Sequence, residues 1–305
     1  MAKTTSSAAN APVAEATTYR GMPVEELERQ YNPRIAVPDY ADYLERHKAT
    51  SAAVRNTLKP RLDIRYGEGP KSTLDIFRPT SAKSASGGLP IQLFFHGGYW
   101  RNLDKSDFSF VAVPLVAAGA MVVVVNYDLC PSVSLDEVVA QAYASIAWTA
   151  RHAAEHGGDP ARIFISGNSA GAHLVAMAAA REWRRDGLPS DLIKGAAAIT
   201  GIFDIAPVLD ISVNADIRLD AASAWRNSPM YRPPRAGLRL LVAVGANETA
   251  EWKRQSIDYA ALARAAGAEV TFMEIPGANH FSISEPLADS AGTLSRAIIG
   301  QMGLA

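Results

Sequence analysis

The chain has 305 residues, 48% of them apolar and 20% charged, with 30 Lys and Arg against 31 Asp and Glu. This composition is typical of a globular protein with one large α/β domain or two smaller ones, and it excludes a disordered chain. The balanced charge, without a long basic run, argues against nucleic acid as a partner. The single cysteine, Cys130, excludes an internal disulfide and a cysteine-rich zinc site.

The first residues and the longest apolar run bear on location. Residues 1–18 are rich in Ala, Ser and Thr and lack the continuous apolar segment of a secretory signal, so we expect a flexible tail. Residues 110–125 are apolar, but Pro114 and Gly119 interrupt them, which favours a helix, a turn and a strand over a membrane span. We therefore expect a cytoplasmic protein that does not bind a membrane.

Residues 19–305 are expected to form one α/β domain that begins with a helical arm over 19–58. Helical spacing at 25–31 and 40–55 predicts the helices of this arm. Alternating apolar and polar residues at 62–66 and 73–77, with a turn between them, predict a hairpin.

The remaining chain alternates between buried strands and helices. Short apolar runs predict strands at 91–95, 121–125, 162–166, 238–244 and 270–274. Helical spacing lies between them at about 135–156, 169–185, 251–266 and 287–301. Such an order predicts a mostly parallel sheet flanked by helices. The segment at about 201–237 has no strand signal and four prolines, and we expect a small cap over the carboxyl edge of the sheet, where ligands bind.

A candidate nucleophile lies between a predicted strand and a predicted helix. The sequence Gly167-Asn168-Ser169-Ala170-Gly171 fits G-x-S-x-G, and this strand–turn–helix context is the one the motif requires. Side chains at 167 and 171 would collide with neighbouring segments of so sharp a turn. The motif predicts Ser169 as the nucleophile, and the alternative is an ordinary turn with a serine N-cap.

A glycine-rich segment after another strand can supply hydrogen-bond donors for the reaction at the nucleophile. A serine that attacks a carbonyl creates an oxyanion, which requires fixed N–H donors. The sequence His96-Gly97-Gly98-Tyr99-Trp100 follows a buried strand, and we expect the donors to be Gly97, Gly98 and Ala170. We expect His96 to fix the loop, and Tyr99 and Trp100 to line a pocket for a flat or apolar substrate. An ordinary glycine turn is the alternative.

The general base is expected to be His280. Among the six histidines, His280 follows a strand and a polar turn and precedes the last helix, where the chain order serine, acid, histidine places the base. Phe281, the next residue, is expected to contact the substrate. We expect His173, one turn after Ser169, to pack beneath the nucleophile, and we place His47 in the N-terminal arm.

The acid should lie between residues 169 and 280, just past a strand. Glu248, in the loop after the strand at 238–244, is our choice for holding the His280 ring in the correct tautomer. Asp204, which follows an earlier strand, is the alternative. Glu248 has a second interpretation as a solvated loop charge or a carboxylate at a helix N-terminus.

These motifs together resemble the α/β-hydrolase superfamily, in particular its branch of hormone-sensitive lipase-like esterases with an HGG motif. The HGGYW sequence at 96–100 resembles that of the serine-dependent kynurenine formamidases, or arylformamidases. Further similarities at 27–33, 74–79 and 248–256 extend the resemblance over roughly residues 24–301. By matching position, the family's triad falls on Ser169, Glu248 and His280. The family's acid is often aspartate, and the proline-rich stretch at 229–236 has no family signature.

The resemblance implies a serine hydrolase that cleaves an aryl formamide of the N-formylkynurenine type through a Ser-His-Glu triad and an acyl-enzyme. We expect a small-molecule substrate, no cofactor and no metal, and an H-E-x-x-H motif is absent from the sequence. A carboxylesterase for small or aromatic esters shares every catalytic motif and is the alternative. A non-catalytic ligand-binding member of the fold is a third interpretation. The oligomeric state stays open, with a homodimer among the alternatives.

Overall fold

A computed structural model of the chain describes residues 18–80 and 88–304. The flexible tail expected over residues 1–18 therefore lies outside the described residues, except for its last position. Among the helices of the described ranges, none is long and apolar enough to cross a membrane.

One sheet runs through the described part of the chain and carries the candidate site at its carboxyl edge. Its strand order is β1-β2-β4-β3-β5-β6-β7-β8. β2 pairs antiparallel with β1 and with β4, and every other neighbouring pair is parallel. The predicted mostly parallel sheet and the α/β class are therefore confirmed. The strands are Arg61–Arg65 (β1), Thr73–Phe77 (β2), Leu89–Phe95 (β3), Met121–Val125 (β4), Gly158–Asn168 (β5), Ile193–Ile199 (β6), Arg239–Gly245 (β7) and Glu269–Ile275 (β8).

Short helices and turns connect these strands, and longer helices cover them. The α-helices of the described residues are Val24–Tyr31 (α1), Pro33–Ala36 (α2), Tyr40–Leu58 (α3), Ala112–Ala117 (α4), Leu135–His152 (α5), Ala170–Ala179 (α6), Asn214–Ile217 (α7), Ala221–Arg226 (α8), Ala250–Ala265 (α9) and Thr293–Gln301 (α10).

The sheet is buried on both faces because helices pack against each of them. All five residues of β4 are buried. Val123 and Val125 join one apolar core, which also takes residues from α5, α6 and α9. Val122 and Val124 join a second core, with residues from α3, α4 and α10. A strand covered on both sides needs apolar residues without alternation, which explains the continuous valine run.

The N-terminal helices α1 to α3 lie against both the carboxyl edge and the second core. In α1, the Tyr31 hydroxyl donates to Glu251 of α9 at 2.8 Å. In α3, the Ser51 hydroxyl donates to the carbonyl oxygen of Asp107 at 2.7 Å. These contacts fix the arm beside the loops that follow the strands.

Residues 201–237 form short helical turns and contain no strand. Besides α7 and α8, they contain 3-10 turns at Ala206–Asp210 and Pro229–Tyr231. The N–H of Met230 donates to the carbonyl oxygen of Phe203 at 2.8 Å, which closes the segment on itself. That the segment acts as a cap stays a prediction.

Two of the elements that differ from the sequence-based expectations have a clear physical reason. The sequence gives no bounds for the strand before Asp204, which the structure shows as β6, because its alanines have low strand propensity. The helix predicted over 287–301 begins only at Thr293. A 3-10 turn at Ser282–Ala288, which contains Pro286, precedes it, and a proline cannot donate the hydrogen bond that a continuous helix requires.

Candidate active site

Ser169 lies on a sharp turn between β5 and α6. Its backbone has φ of 55° and ψ of −120°, a conformation that residues with side chains rarely adopt. Its N–H donates to the carbonyl oxygen of Ile199 at the end of β6, at 2.9 Å. This contact holds the turn against the neighbouring strand and places the hydroxyl at the carboxyl edge of the sheet.

Gly167 and Gly171 let this turn close against β3. A Cβ atom at Gly167 would lie 2.6 Å from the carbonyl of Gly171 and 2.8 Å from the carbonyl oxygen of Phe95. A Cβ atom at Gly171 would collide with the same Phe95 oxygen. The neighbours are backbone atoms that cannot rotate away, so both positions require glycine.

The imidazole of His280 connects Ser169 to a carboxylate. His280 lies in the loop after β8, and its Nε2 is 2.9 Å from Ser169 Oγ. Glu248 lies in the loop after β7, and its Oε2 is 3.2 Å from His280 Nδ1. β7 and β8 are adjacent and parallel, so the loops at their carboxyl ends meet. These contacts favour a proton on Nδ1 and leave Nε2 free to accept the serine proton.

Thr200 also holds the carboxylate, and the sequence analysis missed it. Its hydroxyl donates to Oε1 of Glu248, and its oxygen lies 3.3 Å from His280 Nδ1. Thr200 is fully buried and directly follows β6, the strand next to β5. The feature that could have indicated Thr200 is its position just after a central strand, but the sequence does not show where that strand ends.

Asp204, the alternative acid, lies away from the imidazole. Its carboxylate accepts hydrogen bonds from the Tyr19 hydroxyl at 2.8 Å and from the Ala206 N–H at 3.1 Å. The His280 ring nitrogens contact Ser169, Glu248 and Thr200 instead. Of the two carboxylates considered from the sequence, Glu248 is the one that the fold brings to His280.

The backbone of Gly97 lies directly against Ser169. A Cβ atom at Gly97 would lie 3.2 Å from Ser169 Cβ. Gly98 has φ of 113°, which favours glycine, and a Cβ atom there would collide with the carbonyl oxygen of Asn102. Within the described ranges, the N–H groups of Gly97, Gly98 and Ala170 donate to no other protein group. These three amides therefore have no competing partner there, and that they bind an oxyanion formed at Ser169 stays a prediction.

His96 holds the glycine loop in place. Its Nδ1 lies 2.7 Å from the carbonyl oxygen of Gly97, and its Nε2 lies 3.2 Å from Oδ1 of Asn126. The ring stacks on Tyr127 with the centroids 4.3 Å apart. Burial lowers the pKa of His96 to about 4, so the ring is neutral near pH 7.

Trp100 does not line the pocket, which corrects the expectation from the sequence. The side chain is fully buried, and its Nε1–H donates to Nδ1 of His173 at 3.2 Å. Nε2 of His173 in turn donates to the carbonyl oxygen of Asn227 at 2.6 Å. A buried indole N–H needs an acceptor, and His173 supplies it beneath the loop. The sequence places Trp100 next to the glycines but does not show which way the ring turns.

A pocket that opens to the surface reaches Ser169 and His280. Gly97 and Gly98 contribute to its lining, and so do Tyr99 and Phe281. The Tyr99 hydroxyl donates to the carbonyl oxygen of Tyr31 at 2.9 Å, which fixes this ring in the wall.

The charged residues in the pocket lining are basic. Arg34 and Arg101 line the pocket, and none of the Asp and Glu residues in the described ranges does. Arg101 forms an ion pair with Asp216, whereas Arg34 lies over the ring of Tyr40 at 5.1 Å from its centroid. Across residues 18–80 and 88–304, no group of three or more His, Cys, Asp or Glu side chains is placed to hold a metal ion.

Comparison with known proteins agrees with this fold and arrangement. Residues 92–284 match the family model of the alpha/beta hydrolase fold. The kynurenine formamidases of Danio rerio and Salmo salar are each 33% identical to this chain, over 93% of it and 98% of their own length. A solved structure of a proposed thioesterase from Silicibacter sp. is 31% identical, with a TM-score of 0.74, and the match covers 90% of this chain and 98% of that one.

The fold and the site define a hydrolase enzyme of the α/β-hydrolase type, and the chain belongs to the α/β-hydrolase family. Within that family it belongs with the kynurenine formamidases, as the resemblance in the sequence implied.

Proposed function

We propose that the protein cleaves an aryl formamide of the N-formylkynurenine type and releases formate and an aromatic amine. The observation that carries this proposal is the pocket, which joins the Ser169–His280 pair to a lining whose charged residues are two arginines. N-formylkynurenine has both a formamide, which suits the serine, and a carboxylate, which suits an arginine. The identity to kynurenine formamidases over nearly the whole chain supports the same substrate class.

In the first step, Ser169 Oγ attacks the formyl carbon while His280 Nε2 takes its proton. The 2.9 Å separation of these atoms suits direct proton transfer. The carboxylate of Glu248, 3.2 Å from Nδ1, stabilises the imidazolium that forms and keeps the ring oriented.

The tetrahedral intermediate places a negative charge on the former formyl oxygen. The N–H groups of Gly97, Gly98 and Ala170 are the donors proposed to stabilise it. Because they make no hydrogen bonds within the described protein, they need not exchange partners when the charge appears.

The second half of the reaction releases both products. The His280 imidazolium donates its proton to the anilide nitrogen, the C–N bond breaks, and the aromatic amine leaves. Water then attacks the formyl ester on Ser169 while His280 takes a proton from it, and the ester bond breaks. Formate leaves, and Ser169 recovers its proton from His280, so one water is consumed per formamide.

A carboxylesterase for small or aromatic esters is the second candidate function. The contacts among Ser169, His280 and Glu248 serve an ester as well as an anilide, because both react through a tetrahedral oxyanion. The basic lining favours a substrate with a carboxylate, such as N-formylkynurenine, over a neutral ester, which makes no use of Arg34. The same contacts give no support to a non-catalytic member of the fold.

Steady-state rates decide between the two candidates. N-formylkynurenine, formanilide and phenyl acetate would be compared on the same preparation of wild type and Ser169→Ala. We expect N-formylkynurenine to have the highest kcat/KM, and Ser169→Ala to lower kcat by roughly 10⁴- to 10⁶-fold. A preference for acetyl or longer acyl esters by more than about 100-fold, or about 3 kcal/mol, would reject the formamidase proposal.

We also propose a cytoplasmic location. The buried free thiol of Cys130 supports a reducing compartment, where disulfides are not required for folding. Fractionation of cells that produce the full chain tests this, and recovery outside the cytoplasm would contradict it.

A further inference from the structure

Three buried side chains in the pocket wall have polar atoms without a partner among the described protein residues. These atoms are Oδ1 of Asn168, both ring nitrogens of His47 and the hydroxyl oxygen of Ser284. The Asn168 oxygen can only accept a hydrogen bond, whereas His47 and Ser284 can donate one. His47 is 6% exposed and Ser284 is 1% exposed, and both line the pocket that contains Ser169 and His280. An unpaired buried polar group costs roughly 1–3 kcal/mol of stability, so each requires an explanation.

Aromatic rings hold His47 in position and keep it uncharged. Its ring centroid lies 4.8 Å from that of Phe110 and 6.1 Å from that of Phe108. Burial lowers the pKa of His47 to about 4, although the charge of Glu285 opposes this shift. The neutral imidazole offers one N–H donor and one acceptor nitrogen.

Ser284 comes from a different part of the chain, and an ion pair joins its segment to that of His47. His47 belongs to α3, whereas Ser284 belongs to the 3-10 turn that follows His280. Arg46, next to His47, lies 2.9 Å from the carboxylate of Glu285, next to Ser284. This ion pair connects the two segments, and His47 and Ser284 are both among the residues that line the pocket.

We propose that His47 and Ser284 form a subsite for one neutral carbonyl oxygen of the substrate, such as a ketone beside the formamide on the aromatic ring. This inference rests on the proposed function and adds the substituent that the pocket selects. Both side chains can donate a hydrogen bond, and a ketone oxygen can accept two. Neither side chain has a charge that would favour a carboxylate, which Arg34 can bind instead.

Such a subsite selects among substrates. A substrate with the ketone satisfies the two buried groups, whereas one without it leaves them unpaired. Sites that are built to hydrogen-bond a substrate group discriminate strongly against analogues that lack the group. His47 and Ser284 are therefore specificity-determining residues, and Ser169, His280 and Glu248 carry out the chemistry.

The test uses two formamides that differ in a single group. In 2-formamidoacetophenone the ring has an ortho acetyl group, and in 2-isopropenylformanilide a methylene group replaces the ketone oxygen. The measured quantity is the kcat/KM for 2-formamidoacetophenone divided by the kcat/KM for 2-isopropenylformanilide. Comparing this ratio between variants and wild type removes the intrinsic difference in reactivity between the two compounds.

We expect His47→Phe and Ser284→Ala each to lower this ratio by at least about tenfold, the loss of one hydrogen bond. His47→Gln keeps an N–H donor and should restore part of the ratio. The matched control is His152→Phe, which changes a half-buried histidine of α5 outside the pocket lining and should leave the ratio as in wild type. If His47→Phe does not fold, Ser284→Ala decides, because it removes only one oxygen atom.

An unchanged ratio in both His47→Phe and Ser284→Ala would overturn the subsite. If kcat/KM falls equally on both substrates, the ratio is also unchanged, and the two side chains then have a structural role. If wild type cleaves neither formamide, the acetate esters of 2-hydroxyacetophenone and 2-isopropenylphenol replace them. A fall of the ester ratio in the variants would then support the subsite and reject the formamidase proposal, and an unchanged ester ratio would reject the subsite.

Discussion

Thr200 and Glu248 are linked by a hydrogen bond from the threonine hydroxyl to Oε1 of the carboxylate. The other oxygen, Oε2, is thereby left facing Nδ1 of His280 at 3.2 Å. A glutamate has one more rotatable bond than an aspartate, so the hydroxyl limits the orientations that its carboxylate can adopt. Thr200 thus acts as a positioning residue for the acid.

Replacing Thr200 by valine should slow catalysis without changing the shape of the site. A hydrogen bond to a charged group contributes about 1.5–3 kcal/mol, so we expect kcat to fall by roughly 10- to 100-fold. Thr200→Ser keeps the hydroxyl and should stay much closer to wild type. Steady-state kinetics of both variants checks this. Equal activity of the valine and serine variants would show that the hydroxyl does not position Glu248.

The two carboxylates considered from the sequence should differ sharply on mutation. Glu248→Gln removes the charge that orients and stabilises the His280 ring, and we expect kcat to fall by about 10³- to 10⁴-fold. Asp204→Asn changes a carboxylate that binds Tyr19 and Ala206, so we expect a lower melting temperature and a fall in kcat of less than about tenfold. A larger loss of kcat in Asp204→Asn than in Glu248→Gln would reverse the assignment.

The sequence predicts those parts of the fold whose local pattern agrees with their environment. The run at 121–125 contains four valines and is buried on both faces, so composition and structure point to the same element. β6 is the contrary case. Its alanines pair with β5 and β7 in the middle of the sheet, where the neighbouring strands impose the strand conformation that its own propensity does not favour.

The candidate site also contains residues that the sequence predicts and residues that it does not. Ser169, Glu248 and His280 follow strands and lie in recognisable motifs, so their approximate meeting point can be derived from the order of the elements. Thr200 and His47 belong to no motif, and their positions depend on the packing of distant segments. The direction of the Trp100 ring depends on His173, 73 residues further along the chain.

Gly171, two residues after the nucleophile, should be required for folding. Gly171→Ala places a Cβ atom against the carbonyl oxygen of Phe95, and we expect a loss of at least about 2 kcal/mol in the free energy of unfolding. Gly300→Ala is the matched control, because a Cβ atom there meets nothing within 4 Å. Gly300 lies near the end of α10, where alanine should stabilise by up to about 1 kcal/mol. Chemical denaturation measures both, and equal stability of the two variants would contradict the collision.

Arg34 should contribute to binding of substrates that have a carboxylate. It lines the pocket and forms no ion pair with the carboxylates of residues 18–80 and 88–304. We expect Arg34→Gln to lower kcat/KM for N-formylkynurenine relative to formanilide by about 10-fold, the loss of one charged hydrogen bond. Arg239→Gln is the control for a change in net charge. Arg239 is the first residue of β7, so it lies at the amino end of the strands, whereas the site lies at their carboxyl end. The same relative change in both variants would exclude a specific contact.

The buried histidines should make stability depend on pH below neutrality. Burial lowers the pKa of His47, His96 and His173 to about 4 in the folded protein, against an ordinary value of about 6.5 in the unfolded chain. Between these values the unfolded chain binds protons that the folded protein does not. The free energy of unfolding should therefore fall as the pH decreases from about 6.5 to about 4, by up to about 3 kcal/mol for each histidine. Denaturant unfolding between pH 7 and pH 4.5 measures how the free energy of unfolding depends on pH, and this slope gives the number of protons taken up on unfolding. His47→Phe should lower that number by up to one. A stability that stays constant over this range would show that these rings take up protons in the folded state.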